Sequence, residues 1–148
     1  MACGIYLSIA GALFDTDEIA MAVHQGVLSA KAYYENNYVF SEELKHFSRL
    51  LGSDFADLPE CEIKSGGYVV DTLEAAVWCL QNTESYADCV LTAVNLGGDT
   101  DTTAAVAGGL AGIFYGFAAI PCKWVDSLQN KDYLLDIYER FAVFASTS

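Results

Sequence analysis

Nineteen consecutive residues, Ala104 to Cys122 (AAVAGGLAGIFYGFAAIPC), carry no charge. A run of that length either spans a bilayer as a helix or packs inside a protein. Its composition favours the second outcome. Alanine and glycine dominate where a spanning helix would be rich in leucine and isoleucine, acids precede the run, and only Lys123 follows as a basic flank. The run is therefore expected to be the central buried helix of a soluble bundle, opened by Asp99 or Thr100 and stopping before Pro121. Ala104, Gly108, Gly112 and Gly116 recur at every fourth position, a strip of small residues that lets another helix approach closely.

The rest of the chain carries the same periodicity. Cys3 to Phe14 is apolar and starts without a cap, as if cut from something longer. Asp15-Thr16-Asp17-Glu18 looks like an N-cap for a helix running through Ile19, Val23 and Val27 to about Tyr34. Ser41-Glu42-Glu43-Leu44 opens another, with Gly52 as its C′ residue. Residues 53 to 70 form the longest loop. Asp71 to Gln81 predicts a helix with Leu73, Ala76, Val77 and Leu80 inward, and Ser85 to Asn95 predicts the next. A turn around Trp124 and a helix from about Asp132 to Ala145 close the chain. No β pattern competes, since Tyr68-Val69-Val70 is too short to build a sheet. The expectation is an all-α, compact multi-helix bundle of six or seven helices, a single domain over residues 1–148.

Charge narrows the function. Acidic residues outnumber basic ones 20 to 7, for a net charge of −13. Binding nucleic acid by phosphate neutralisation is excluded on that balance, and no membrane partner is expected. An anionic ligand would need metal ions, backbone amides or a local reversal of the field. Five cysteines at 3, 61, 79, 89 and 122 are odd in number and form no CxxC pair. They read as reduced thiols, hence a cytoplasmic protein.

The chemistry concentrates in Asn95-Leu96-Gly97-Gly98-Asp99-Thr100-Asp101-Thr102-Thr103. Two carboxylates and a hydroxyl stand at a helix mouth. Such hard oxygens suit Mg²⁺, Mn²⁺ or Ca²⁺, and Asp99 and Thr102 project to the same side of a first turn. The alternative is simple capping, which places Asp and Thr at helix starts in any case. An EF-hand register from Asp99 would put Ala104 and Leu110 where Gly and Glu are required. The string D-x-D-x-T also matches a phosphatase nucleophile motif, with Asp99 attacking phosphate, but that motif needs a parallel-sheet scaffold absent here.

The stretch Ser65-Gly66-Gly67-Tyr68-Val69-Val70-Asp71-Thr72-Leu73-Glu74-Ala75-Ala76, then Ala93 to Thr102, then Gly108 to Gly116 and Ile120-Pro121, resembles the C-terminal half of ADP-ribosylglycohydrolases in order and spacing. The resemblance implies an all-α fold around two magnesium ions (manganese is an alternative) and hydrolysis of the bond between ADP-ribose and a modified side chain or small molecule. It implies Asp99, Asp101 and Thr102 as metal ligands, with Asp101 bridging. It implies Ser65, Gly66, Gly67 and Tyr68 as substrate-binding, the glycines bringing amides to the diphosphate and Tyr68 stacking on a base or ribose. A tight turn with a packing tyrosine is the alternative reading of that loop.

Full-length family members are about twice as long, and their N-terminal half adds a Thr-Asp-Asp group and an acidic residue proposed in catalysis. Asp15-Thr16-Asp17-Glu18 resembles the group superficially but sits where a helix cap belongs. No catalytic residue is assigned. The chain is expected to be the C-terminal portion of a longer fold, carrying half of the metal site and either self-associating or docking a complementing N-terminal half. The expected partner is ADP-ribose or an ADP-ribosylated substrate. A non-catalytic ADP-ribose-binding module and a purely structural relative are the alternatives. His24 is expected at an interior or boundary position and His46 at the surface. Trp78 and Trp124 are expected in the core, Cys79 and Cys89 as inert buried thiols, and Asp132, Asp136 and Glu139 on a solvated face.

Overall fold

The computed structural model describes residues 1–147. Among them are seven α-helices and no strand: α1 (Ala2–Ala12), α2 (Ile19–Glu35), α3 (Val69–Gln81), α4 (Tyr86–Asn95), α5 (Thr100–Tyr115), α6 (Cys122–Asp126) and α7 (Lys131–Ser146). The all-α expectation and the helix count hold, but not every helix is the expected one. Ser41–Phe47 is a 3₁₀ segment, and Gly52 does not take a left-handed C′ conformation. The turn around Trp124 is instead the short helix α6. Thr16, not Asp15 or Asp17, meets the backbone before α2, its Oγ1 accepting from the Glu18 N–H at 3.2 Å.

The centre of the bundle lies elsewhere than the uncharged run suggests. α5 stops at Tyr115, with Gly116 turning the chain, and only Thr103, Ala107, Leu110 and Ala111 of α5 are buried. No described helix is long and apolar enough to cross a membrane. The central helix is α3, buried at Val70 and at every position from Thr72 to Leu80. A helix enclosed on all sides packs against several elements at once. α3 meets α5 and α4 on one side and α1 and α2 on another. Polar Thr72 and Glu74 within this buried stretch explain why it reads as one-sided from sequence.

Small residues set the close crossings. A Cβ on Gly26 of α2 would lie 2.5 Å from the Ile9 Cα of α1, so only glycine permits that approach. On α5, Gly108 faces Tyr86 and Val90 of α4 and Gly112 faces Tyr86, so these two members of the expected strip receive a helix, whereas Gly116 lies past the end of α5 with nothing within 4 Å of an added Cβ. Ile5, Ile9, Leu80 and Leu110 are fully buried, each stabilising the fold by about 1.5–3 kcal/mol. α4 starts with a cap, the Asp88 N–H donating to Ser85 Oγ at 3.1 Å.

Residues 36–68 form an irregular strap of 3₁₀ turns that α3 holds from one face. Glu74, Trp78 and Asn82 are spaced one turn apart along that helix. Asn82 Nδ2 donates to the Ala56 carbonyl at 3.1 Å and Trp78 Nε1 to the Leu58 carbonyl at 2.9 Å. Glu74 reaches the strap through Arg49, at 3.5 Å. α7 has no buried residue and exposes Tyr133, Tyr138, Phe141 and Val143. Asp132, Asp136 and Glu139 are exposed on it, as expected.

Candidate functional site

Two separate sequence segments meet where the strap ends. The Asp99 N–H donates to the Ser65 carbonyl at 2.8 Å. Ser65 is buried, and its Oγ reaches the carbonyls of Gly97 at 2.8 Å and Leu96 at 3.2 Å. The fit depends on glycine. Gly98 has φ +67°, and a Cβ there would overlap the Ser65 carbonyl. A Cβ on Gly67 would come 3.5 Å from Asp99 Oδ2, so the loop backbone lies against that carboxylate. Thr72 Oγ1 donates to the Gly66 and Tyr68 carbonyls, both at 3.3 Å, closing the loop onto α3.

This loop thus brings the N-terminal ends of α3 and α5 together. Gly66, Gly67, Tyr68, Asp101 and Thr102 are exposed there, and Asp99 is half-buried. Tyr68 leaves 53% of its surface free. Asp99 occupies the N-cap position of α5, yet its carboxylate makes no capping hydrogen bond. A hydrogen bond with Asp99, together with the backbone amides of Thr102 and Asp101 itself, holds the Asp101 carboxyl below its usual range. Two carboxylates and a hydroxyl on one turn match a hard divalent cation in kind. They do not complete a site, because no group of three or more His, Cys, Asp or Glu is placed to hold a metal among the described residues.

Sequence reasoning missed one contributor. A groove of about 640 Å³ runs from the loop and Thr102 across Val69, Leu73 and Val106 to Cys3, Tyr6 and Leu7 of α1. None of its lining residues is charged. Nothing in the α1 sequence marks these positions as neighbours of the acids. The Tyr6 hydroxyl donates to the Val106 carbonyl at 3.4 Å, and burial raises its pKa.

The other candidates stay outside the site. His24 is exposed rather than interior or at a boundary, and His46 is exposed beside Glu43 at 3.5 Å. Trp78 is buried as expected, whereas Trp124 is half-buried against Tyr86. Burial pushes the Cys79 thiol up to about 12 and the Cys89 thiol to about 11, which makes both inert. Cys3, Cys61 and Cys122 are exposed and free.

The family model for ADP-ribosylglycohydrolase matches residues 1–147. The chain belongs to the ADP-ribosylglycohydrolase family. Among curated relatives, it is 44% identical over 84 residues to the ADP-ribosylarginine hydrolase Tri1 of Serratia proteamaculans, a match covering 57% of this chain and 23% of Tri1. It is 41% identical over 68 residues to the ADP-ribosyl-[dinitrogen reductase] glycohydrolase of Rhodospirillum rubrum, covering 46% and 23%. It is 29% identical over 119 residues to the mouse ADP-ribosylhydrolase ARH3, covering 72% and 32%. A solved structure titled "ADP-ribosylglycohydrolase-related protein complex" superposes with a TM-score of 0.55 at 30% identity, covering 77% of this chain and 42% of that one. The matches therefore span 23% to 32% of the length of these curated family members.

Proposed function

We propose that this chain carries one half of an ADP-ribosylglycohydrolase active site, which hydrolyses the bond between ADP-ribose and a modified side chain or small molecule. The observation that carries the reading is the docking of the Ser65–Tyr68 loop onto Gly98 and Asp99, beside Asp101 and Thr102. The exposed backbone of Gly66 and Gly67, leading into the N-terminus of α3, suits a diphosphate, which a chain of net charge −13 would otherwise repel. Tyr68 offers an aromatic face for a base or ribose. Asp99, Asp101 and Thr102 would hold magnesium, with manganese as an alternative. Bound there, the metal supplies Lewis-acid stabilisation to glycoside hydrolysis. The Asp101 carboxyl, held below its usual range by the Asp99 side chain and by the amides of Thr102 and Asp101, is suited to serve as one of these ligands.

The remaining ligands would come from a complementing polypeptide that carries the rest of the fold. That partner would also cover the groove beside Thr102. Self-association through the exposed aromatic residues of α7 is the competing mode of burial. Three exposed, unpaired cysteines suit a reducing compartment such as the cytoplasm. A second reading, an ADP-ribose-binding module without turnover, is favoured by the presence of only two carboxylates at the helix mouth.

Calorimetric titration with ADP-ribose, with and without Mg²⁺, beside Asp101→Ala, tests the proposal. Magnesium-dependent heat that the substitution abolishes supports it. Magnesium-independent binding with an unaffected variant supports the binding module. No heat in any condition, repeated with the upstream portion of a relative added in trans, refutes both.

A further inference from the structure

We infer that Arg49, acting with Glu74, is a positioning residue that sets where the Ser65–Tyr68 loop lies against Asp99. The guanidinium spans both stems of that loop. Nη2 donates to the Glu62 carbonyl at 2.9 Å, on the side where the strap enters. Nη1 lies 3.5 Å from Oε2 of Glu74, on the helix into which the loop runs. Residues 63 to 73, including the whole candidate ligand loop, are enclosed between these two contacts. Glu74 is itself only 4% exposed, so its carboxylate is fixed by packing and not by solvent. A planar fork with two outward N–H groups makes both contacts at once, which an ammonium on a flexible stem does not.

The arrangement completes the series down α3. Asn82, Trp78 and the Glu74–Arg49 pair fasten the strap at Ala56, Leu58 and Glu62 in turn. Arg49 is the last fastening before the chain reaches Ser65. Beyond it, Ile63 is buried in the core, and the hydrogen bonds that hold the loop among the described residues are those of Thr72 and Ser65. Arg49 touches no site residue, so it acts through the loop alone. Its relevance to function rests on the reading of Ser65–Tyr68 as the ligand-contacting segment.

Amide hydrogen exchange on the whole chain without ligand, comparing wild type with Arg49→Lys and Glu74→Gln, tests the inference. In Arg49→Lys, the Asp99 amide, bonded to the Ser65 carbonyl, and the Thr72 amide, bonded to the Tyr68 carbonyl, exchange roughly tenfold faster, the factor expected for losing one charged hydrogen bond at a locally opening segment. Amides of Ala107 to Ala111 in α5 keep their rates. Glu74→Gln, which preserves shape and hydrogen bonding, gives a smaller change at the same amides. Unchanged exchange at the Asp99 and Thr72 amides overturns the inference. Uniform acceleration that includes α5 overturns it too, because Arg49 would then be a general stability contact. A parallel titration with ADP-ribose and Mg²⁺ separates the two readings. A wild-type chain that ignores ADP-ribose refutes the binding assignment, and the exchange result still decides the role of Arg49.

Discussion

Replacing Gly98 with alanine tests the join between the two halves of the candidate site. Gly98 sits at φ +67°, where an L side chain costs about 1–2 kcal/mol. Its Cβ would also overlap the Ser65 carbonyl, so the loop must retreat. Retreat breaks the 2.8 Å bond from the Asp99 N–H, a loss of about 1 kcal/mol, and disturbs the packing of buried Ser65 by a similar amount. The expected penalty is about 3 kcal/mol, a large part of the ~5–15 kcal/mol that holds a domain together, yet one the chain survives.

Gly97→Ala is the matched control. Gly97 has φ +81° and nothing within 4 Å of an added Cβ, so it pays the backbone strain alone. With a urea slope of about 1.5 kcal/mol/M, Gly98→Ala lowers the unfolding midpoint by about 2 M and Gly97→Ala by about 1 M. Gly98→Ala also speeds exchange of the Asp99 amide relative to Gly97→Ala. Equal midpoints for the two variants would refute the reasoning, since the Ser65 contact would then carry no energy of its own.

Two further outcomes follow from burial. Thr103 is fully buried, and its Oγ1 has no hydrogen-bond partner among the described residues; Thr103→Val should raise the thermal midpoint by about 3 °C, corresponding to ~1 kcal/mol of relieved desolvation, and a lowered midpoint would show that the hydroxyl is satisfied in solution. A thiol-alkylating reagent at pH 8 should modify Cys3, Cys61 and Cys122 in the native chain and reach Cys79 and Cys89 only on denaturation, and mass spectrometry showing native labelling of either buried thiol would contradict the packing of α3 against α4.

The helices were legible where period and punctuation agreed. Ser85 and the Gly97-Gly98 pair bracket α4, which is therefore read almost to the residue. Residues 41–47 mislead because two turns of apolar spacing do not separate an α-helix from a 3₁₀ segment. The strap beyond them is held by bonds from Asn82, Trp78 and Arg49 to Ala56, Leu58 and Glu62, and the first two of these partners lie outside any local window. The uncharged run overstated α5, since the break at Gly116 is one glycine among many in that stretch. Charged Glu74 concealed α3 as the centre, because its partner Arg49 lies 25 residues earlier. At the site, the carboxylates and the glycine pairs are visible as types. Their union is not, because Ser65 finds its acceptors 31 and 32 positions away.

That separation has a kinetic consequence. α4 and α5 are joined by the four residues Leu96 to Asp99, so this helical hairpin closes early and locally. The Ser65–Asp99 bond closes a much longer loop and depends on α3 and the strap being seated first. The join between Ser65 and Asp99 should therefore be the last feature gained on refolding and the first lost under mild denaturant. A sample with near-native helical ellipticity at 222 nm can, for that reason, already have lost this join, and its quality is better judged from the Asp99 amide than from its helix content.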